Sequence, residues 1–149
     1  MYVCAYDDRM SIRLPCYCAS LRRAARIISK KYDEALGSVG LTVTHFTLLT
    51  AIKDAPGARV NDLVEVLAMD QTTLSRTLKL MERDDLIVRQ DGDDRRESRW
   101  ALTSEGRAQL RRAEPHWKKA QASVENLLGE QGARTLSESV FRLSRKLTP

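Results

Sequence analysis

Apolar residues recur through most of this chain at intervals of three and four, and each row that keeps the interval predicts a helix with one buried face. Leu21, Ala25, Ile28, Tyr32 and Leu36 hold it up to Gly37, with Pro15 placed where a first-turn proline is tolerated. Thr44 to Asp54 predicts a shorter helix with Phe46, Leu49 and Ile52 inward, ended by Pro56-Gly57. Val60, Leu63, Val64 and Leu67 predict a third, and Ala68-Met69 leaves only a tight turn before Asp70, a good N-cap for a fourth. In that fourth helix Leu74, Leu78 and Met81 form the buried stripe.

The period then changes. Leu86 to Gln90 and Ser98 to Thr103 read as strands joined by the polar loop Asp91 to Glu97, with Gly92 for the turn, and Ala58 to Val60 has room for a single-residue bridge to them. Helical spacing returns at Leu110, Ala113, Trp117, Ala120, Val124 and Leu127, and again at Leu136, Val140, Leu143 and Leu147 beyond Gly129-Glu130-Gln131-Gly132. Pro115 predicts a kink near the first turns of this last pattern. Its seams need an apolar partner, either the chain's own first helix or a second copy. The fold class expected is mainly α with a small β-wing.

Two helices with so short a joint form a helix-turn-helix, and the hairpin behind them is a wing. On the outer side of the fourth helix lie Gln71, Thr72, Thr73, Ser75, Arg76 and Lys79. Short donors and acceptors with one Arg and one Lys suit base edges and phosphates in a major groove, whereas a plain solvated face would carry more Glu and Lys pairs. The competing reading is a winged helix that docks another protein.

The run Asp94-Arg95-Arg96-Glu97-Ser98-Arg99-Trp100-Ala101-Leu102-Thr103-Ser104-Glu105-Gly106-Arg107, set behind this helix-turn-helix, resembles the MarR family of dimeric bacterial transcription regulators. The resemblance takes in Leu41 to Leu49 and the helix Leu21 to Leu36, so it covers roughly residues 14 to 147 in the family's order. It implies a winged helix-turn-helix lobe at 41–103 and dimerisation helices at 1–36 and 104–149, within one structural unit. It further implies a homodimer on pseudo-palindromic operator DNA. Arg96, with Arg95 beside it, would enter the minor groove and Asp94 would hold the wing loop; a narrow minor groove concentrates negative potential and attracts a guanidinium. An unaided reading of Asp94 and Arg96 is a solvated hairpin ion pair of little worth. The resemblance also implies a small-molecule effector near Tyr32, His45, Phe46 or Trp117, wedged between the terminal helices and the DNA-binding lobe. Ala68 and Asp85 stand where relatives carry turn glycines, which predicts local strain.

Cys16-Tyr17-Cys18 is the main candidate for chemistry. At i and i+2 on a helix the thiols point to nearly opposite sides, so no bridge between them is expected, while a first helical turn beside Arg22 and Arg23 favours thiolate. Cys18 also resembles the reactive cysteine of the family's peroxide-sensing branch. Tyr32 matches one tyrosine of that site, but Val43 and Arg22 stand where others are expected. Cysteine as a plain packing residue is the alternative.

Length and composition narrow the remainder. At 149 residues and 42% apolar content the chain can bury one domain-sized core. No apolar run approaches a membrane span and no signal core opens the chain, so a cytoplasmic protein with no membrane partner is expected. Three cysteines fit a reducing compartment. The net charge of +5 and pI near 9.3 suit nucleic acid, yet residues 71–99 carry seven basic and seven acidic side chains, so binding must rest on arrangement. Cys4, Cys16, Cys18, His45 and His116 have no metal-ligand spacing, and no phosphate loop, nucleophile elbow or framed carboxylate pair occurs. Neither an enzyme, a metal nor a cofactor is expected.

Overall fold

Helices follow the apolar rows closely. The computed structural model describes residues 6–7, 12–13, 16–91 and 98–147, which form in order β1 (Tyr6–Asp7), β2 (Ile12–Arg13), α1 (Tyr17–Leu36), a 3-10 turn (Gly37–Val39), α2 (Val43–Asp54), β3 (Ala58–Arg59), α3 (Val60–Leu67), α4 (Gln71–Arg83), β4 (Ile87–Asp91), β5 (Ser98–Leu102) and α5 (Ser104–Leu147). The chain is mainly α with a three-stranded antiparallel sheet ordered β3-β5-β4, the winged-helix arrangement. It divides into two compact units, Met1–Glu34 with Ala120–Pro149, and Ala35–Lys119.

In the unit Ala35–Lys119, Leu48, Leu49, Ile52 and Leu74 are fully buried, and Leu78, Met81 and Ile87 nearly so. These side chains join α2, α4 and β4 in one core with Leu63 of α3 and Trp100 and Leu102 of β5. Burying such side chains contributes about 1.5–3 kcal/mol each, so the core dictates the angle at which α4 is presented. The sheet registers Ile87 against Leu102 and Arg89 against Trp100, and Ala58 and Arg59 pair with Trp100 and Arg99. Thus the single-residue bridge expected after Ala58 is a two-residue strand.

Side-chain caps start the helices, and the one at Asp70 is the cap its sequence predicts. Thr42 Oγ1 accepts the His45 N–H at 3.2 Å before α2, and Asp70 Oδ1 accepts the Thr73 N–H at 2.9 Å before α4. Asp62 accepts the Arg59 N–H at 2.9 Å at the head of α3.

Helices α3 and α4 end alike. Ala68 (φ 48°) and Asp85 (φ 56°) are left-handed, and the N–H of the next residue reaches back to the carbonyl five residues earlier: Met69 to Val64 at 3.3 Å, Leu86 to Met81 at 2.9 Å. This is the hydrogen-bonded termination usually built on glycine. Here a Cβ is present at both positions, which bears out the strain expected there.

In the other unit, Tyr32 is buried and its hydroxyl donates to Gln121 Oε1, while Gln121 Nε2 donates to Glu125 Oε1 at 2.7 Å. Burial, reinforced by the Glu125 carboxylate, raises the Tyr32 phenol above its ordinary pKa. The opening segment contains an antiparallel pair with Tyr6 opposite Arg13. One expectation needs correction. The kink expected at Pro115 falls instead at Gly129 (φ 68°, ψ 164°), the one residue of α5 with non-helical dihedrals. Proline's fixed φ suits a helix and forfeits a single N–H bond, whereas the Gly129 dihedrals are open essentially to glycine alone.

Candidate nucleic-acid interface

The surface of α4 divides as its sequence does. Leu74, Leu78 and Met81 are no more than 1% exposed, while Gln71, Thr72, Thr73, Arg76 and Lys79 are exposed and Ser75 is half-buried. Six of the eight residues expected to meet DNA therefore lie on one helix, above a packed stripe that prevents it from rolling. Arg95, Arg96 and the wing support Asp94 lie outside the described residues. The strands that lead to them, β4 and β5, are paired along their length from Ile87 and Leu102 to Asp91 and Ser98.

Within the face, Thr73 is committed locally. Its N–H and hydroxyl both donate to Asp70 Oδ1, at 2.9 and 3.2 Å. The backbone bond from Thr73, followed by the side-chain one, holds the Asp70 carboxyl below its ordinary value. A carboxylate so placed satisfies the first turn, the Thr72 backbone N–H included, and leaves the side chains of Gln71 and Arg76 free of capping duty. Thr77 likewise turns inward, its hydroxyl donating to the Thr73 carbonyl at 3.0 Å.

Beside this face lies an open groove of about 380 Å³, lined by Arg59 to Asp62, Gln71, Ser75 and Ser98. Of these, only Gln71 and Ser75 are candidate DNA contacts on the sequence. The pairing of β3 with β5 brings the head of α3 next to the wing, and that long-range register left no local signal.

Of the residues expected at an effector pocket, Phe46 and Trp117 meet as stacked rings with centroids 5.5 Å apart and planes 13° from parallel. His45 gives its backbone N–H to the Thr42 cap. Tyr32 belongs to the other unit, where it bonds Gln121. His116 is held by Ser38, Nδ1 to Oγ at 3.1 Å. Cys18 sits in the first turn of α1 and Cys16 just before it, and both are exposed. Cys4 lies outside the described residues.

Comparison with known proteins agrees with this geometry. The MarR family model matches residues 39–97. The crystal structure of the M. tuberculosis transcriptional regulator MosR in complex with DNA superimposes with a TM-score of 0.80 at 35% identity, covering 88% of this chain and 95% of MosR. The transcriptional repressor CouR bound to p-coumaroyl-CoA has the same fold, with a TM-score of 0.80 at 22% identity over 88% of this chain and 93% of CouR. The HTH-type transcriptional regulator SarZ of Staphylococcus aureus is 33% identical over 86 residues, 57% of this chain. That match spans 58% of SarZ, little more than half the curated relative.

Proposed function

This chain belongs to the MarR family of transcriptional regulators, and from that premise we propose that it is a cytoplasmic homodimeric repressor that grips pseudo-palindromic operator DNA and releases it on binding a small effector. The observation that carries the reading is the α4 face: Gln71, Thr72, Arg76 and Lys79 exposed in one helix over a stripe buried to within 1%. Each protomer lays that face in a major groove and Arg96, with Arg95 beside it, along the flanking minor groove. Residues 41–103 act as the DNA-binding lobe, and residues 1–36 and 104–149 as the dimerisation helices.

Exposed apolar side chains support the dimer. Leu136, Val140 and Leu143 are 40–43% exposed and Phe141 is 65% exposed in the single chain. Leu136, Val140 and Phe141 line a groove of about 1050 Å³ that reaches back past Gly129 to Gln121. Contiguous apolar surface of this kind marks an interaction site, and a second copy bears the same seam. Effector release works through head spacing: a ligand that reshapes the surroundings of the Phe46–Trp117 stack changes affinity by favouring one arrangement of the heads.

Selection of bound sequences from random duplex DNA tests the reading. Enrichment of an inverted repeat, with affinity falling steeply as salt rises, is expected. Failure to enrich any sequence, or binding indifferent to salt, would return the α4 face to protein docking. A thiol switch is the second reading, favoured by the exposure of Cys16 and Cys18. On that reading hydroperoxide oxidises Cys18 and lowers operator affinity in the wild type but not in Cys18→Ser. A Cys18 that remains a thiol in treated protein removes the switch.

A further inference from the structure

The groove beside α4 is polar and built from three directions. Arg59 of β3 and Asn61 of α3 form one wall, Gln71 and Ser75 of α4 another, and Ser98 of β5 the third. Such a lining does not suit an apolar effector. Apart from Val60, its neutral side chains can all donate: two amides and two hydroxyls. The acidic member, Asp62, has Oδ2 turned back to the Arg59 backbone N–H at 2.9 Å.

Position identifies the occupant. Gln71 and Ser75 belong both to the groove and to the readout face, so a duplex seated on α4 passes over this opening. In a helix-turn-helix the second helix enters the major groove while the first crosses the sugar-phosphate strand beside it. The strand that meets the head of α3 therefore presents phosphodiester oxygens, which accept hydrogen bonds from amides and hydroxyls.

We propose that this groove seats one phosphodiester of the strand bordering the major groove, held by Asn61 and Ser98, and that this contact fixes the register at which Gln71 and Ser75 meet the bases. The proposal rests on the DNA-binding reading above. Asn61 and Ser98 are neutral, so they position the duplex without releasing counterions, and the salt dependence of binding does not report them. Their signature lies at a single phosphate.

Operator duplexes recovered by selection, each carrying one methylphosphonate in place of a phosphate, test this with wild type and Asn61→Ala. Asn61→Ala should weaken operator binding about tenfold, and more than it weakens binding to unrelated duplex, with an unchanged salt slope and an unchanged melting temperature. The methylphosphonate and Asn61→Ala losses should add at every phosphate except one per half-site, where the two together cost no more than either alone. Ser98→Ala should lose additivity at that same phosphate. Additive losses throughout, or a folded Asn61→Ala that binds as tightly as wild type, overturn the groove assignment while leaving DNA binding in place. A wild type that retains no duplex overturns both.

Discussion

A Cβ placed on Gly106 would lie 1.8 Å from the carbonyl oxygen of Leu86, so the first turn of α5 rests directly on the backbone that ends α4. Thr103 fastens the same joint: its N–H donates to the Leu86 carbonyl at 3.2 Å, its hydroxyl donates to the Asp85 carbonyl, and its oxygen accepts the Gly106 N–H at 2.8 Å. The base of the wing, the end of α4 and the start of α5 thus share one point. Gly106→Ala has to push peptide backbone aside, and should destabilise the fold by about 3 kcal/mol in urea denaturation. A loss below about 1 kcal/mol would mean the joint yields easily.

The two left-handed residues make the opposite case. Ala68→Gly and Asp85→Gly relieve a strained φ while keeping the backbone bonds of each termination, and each should raise stability by about 0.5–1 kcal/mol. For a chain of this length that is a rise in Tm of about 1–4 °C in calorimetry. Equal or lower melting temperatures would show that the entropy glycine adds to the unfolded chain outweighs the relief.

Asp70 links pH to α4. Its folded-state carboxyl titrates below the ordinary carboxylate value, so its contribution is complete above that value and fades as pH falls through the lower, folded one. The stability gap between wild type and Asp70→Asn should be widest near neutrality and close in acid. A gap that stays constant with pH would assign it to the amide's geometry and not to charge.

Legibility in the sequence followed the range of the interaction. The stripe Leu74, Leu78, Met81 and the cap Asp70 operate within one helix, and all are readable from the local sequence. Gly106 carried no local mark of its role, because what forbids a side chain there is a carbonyl twenty residues earlier in the chain. Arg59 and Asn61 were missed for the same reason, since only the register of β3 on β5 brings them beside Ser98. Pro115 misled in the other direction: it was expected to bend the helix, whereas the non-helical dihedrals fall at Gly129, where the apolar row is interrupted. The resemblance named Phe46 and Trp117 near one pocket, but their stacking is visible only in the structure, and periodicity alone assigns both rings to ordinary core.

Readout and packing separate by mutation. Arg76→Ala removes an exposed guanidinium from a helix whose packing lies on the opposite side, so operator affinity should drop about tenfold or more with no change in Tm. Leu78→Met, a volume-conserving change at a side chain 1% exposed, should leave affinity nearly intact. Equal losses for the two would mean that α4 acts through stability.

Replacing Val140 and Leu143 by aspartate tests the proposed seam. Two charges on a face that meets its own symmetry mate should yield monomers in sedimentation, with operator binding reduced to a weak half-site grip. An intact, folded dimer would take these positions out of the interface.

Gly129 gives the arm beyond it a heading set by a single pair of torsions. Residues 130–147 continue as helix, so their direction is inherited from one hinge-like joint that no L-amino acid occupies without strain. If those residues clasp a second copy, the distance between two DNA-reading heads is calibrated at that codon. Half-site spacing could then drift in descendants of this protein through one substitution that touches neither the bases nor the clasp.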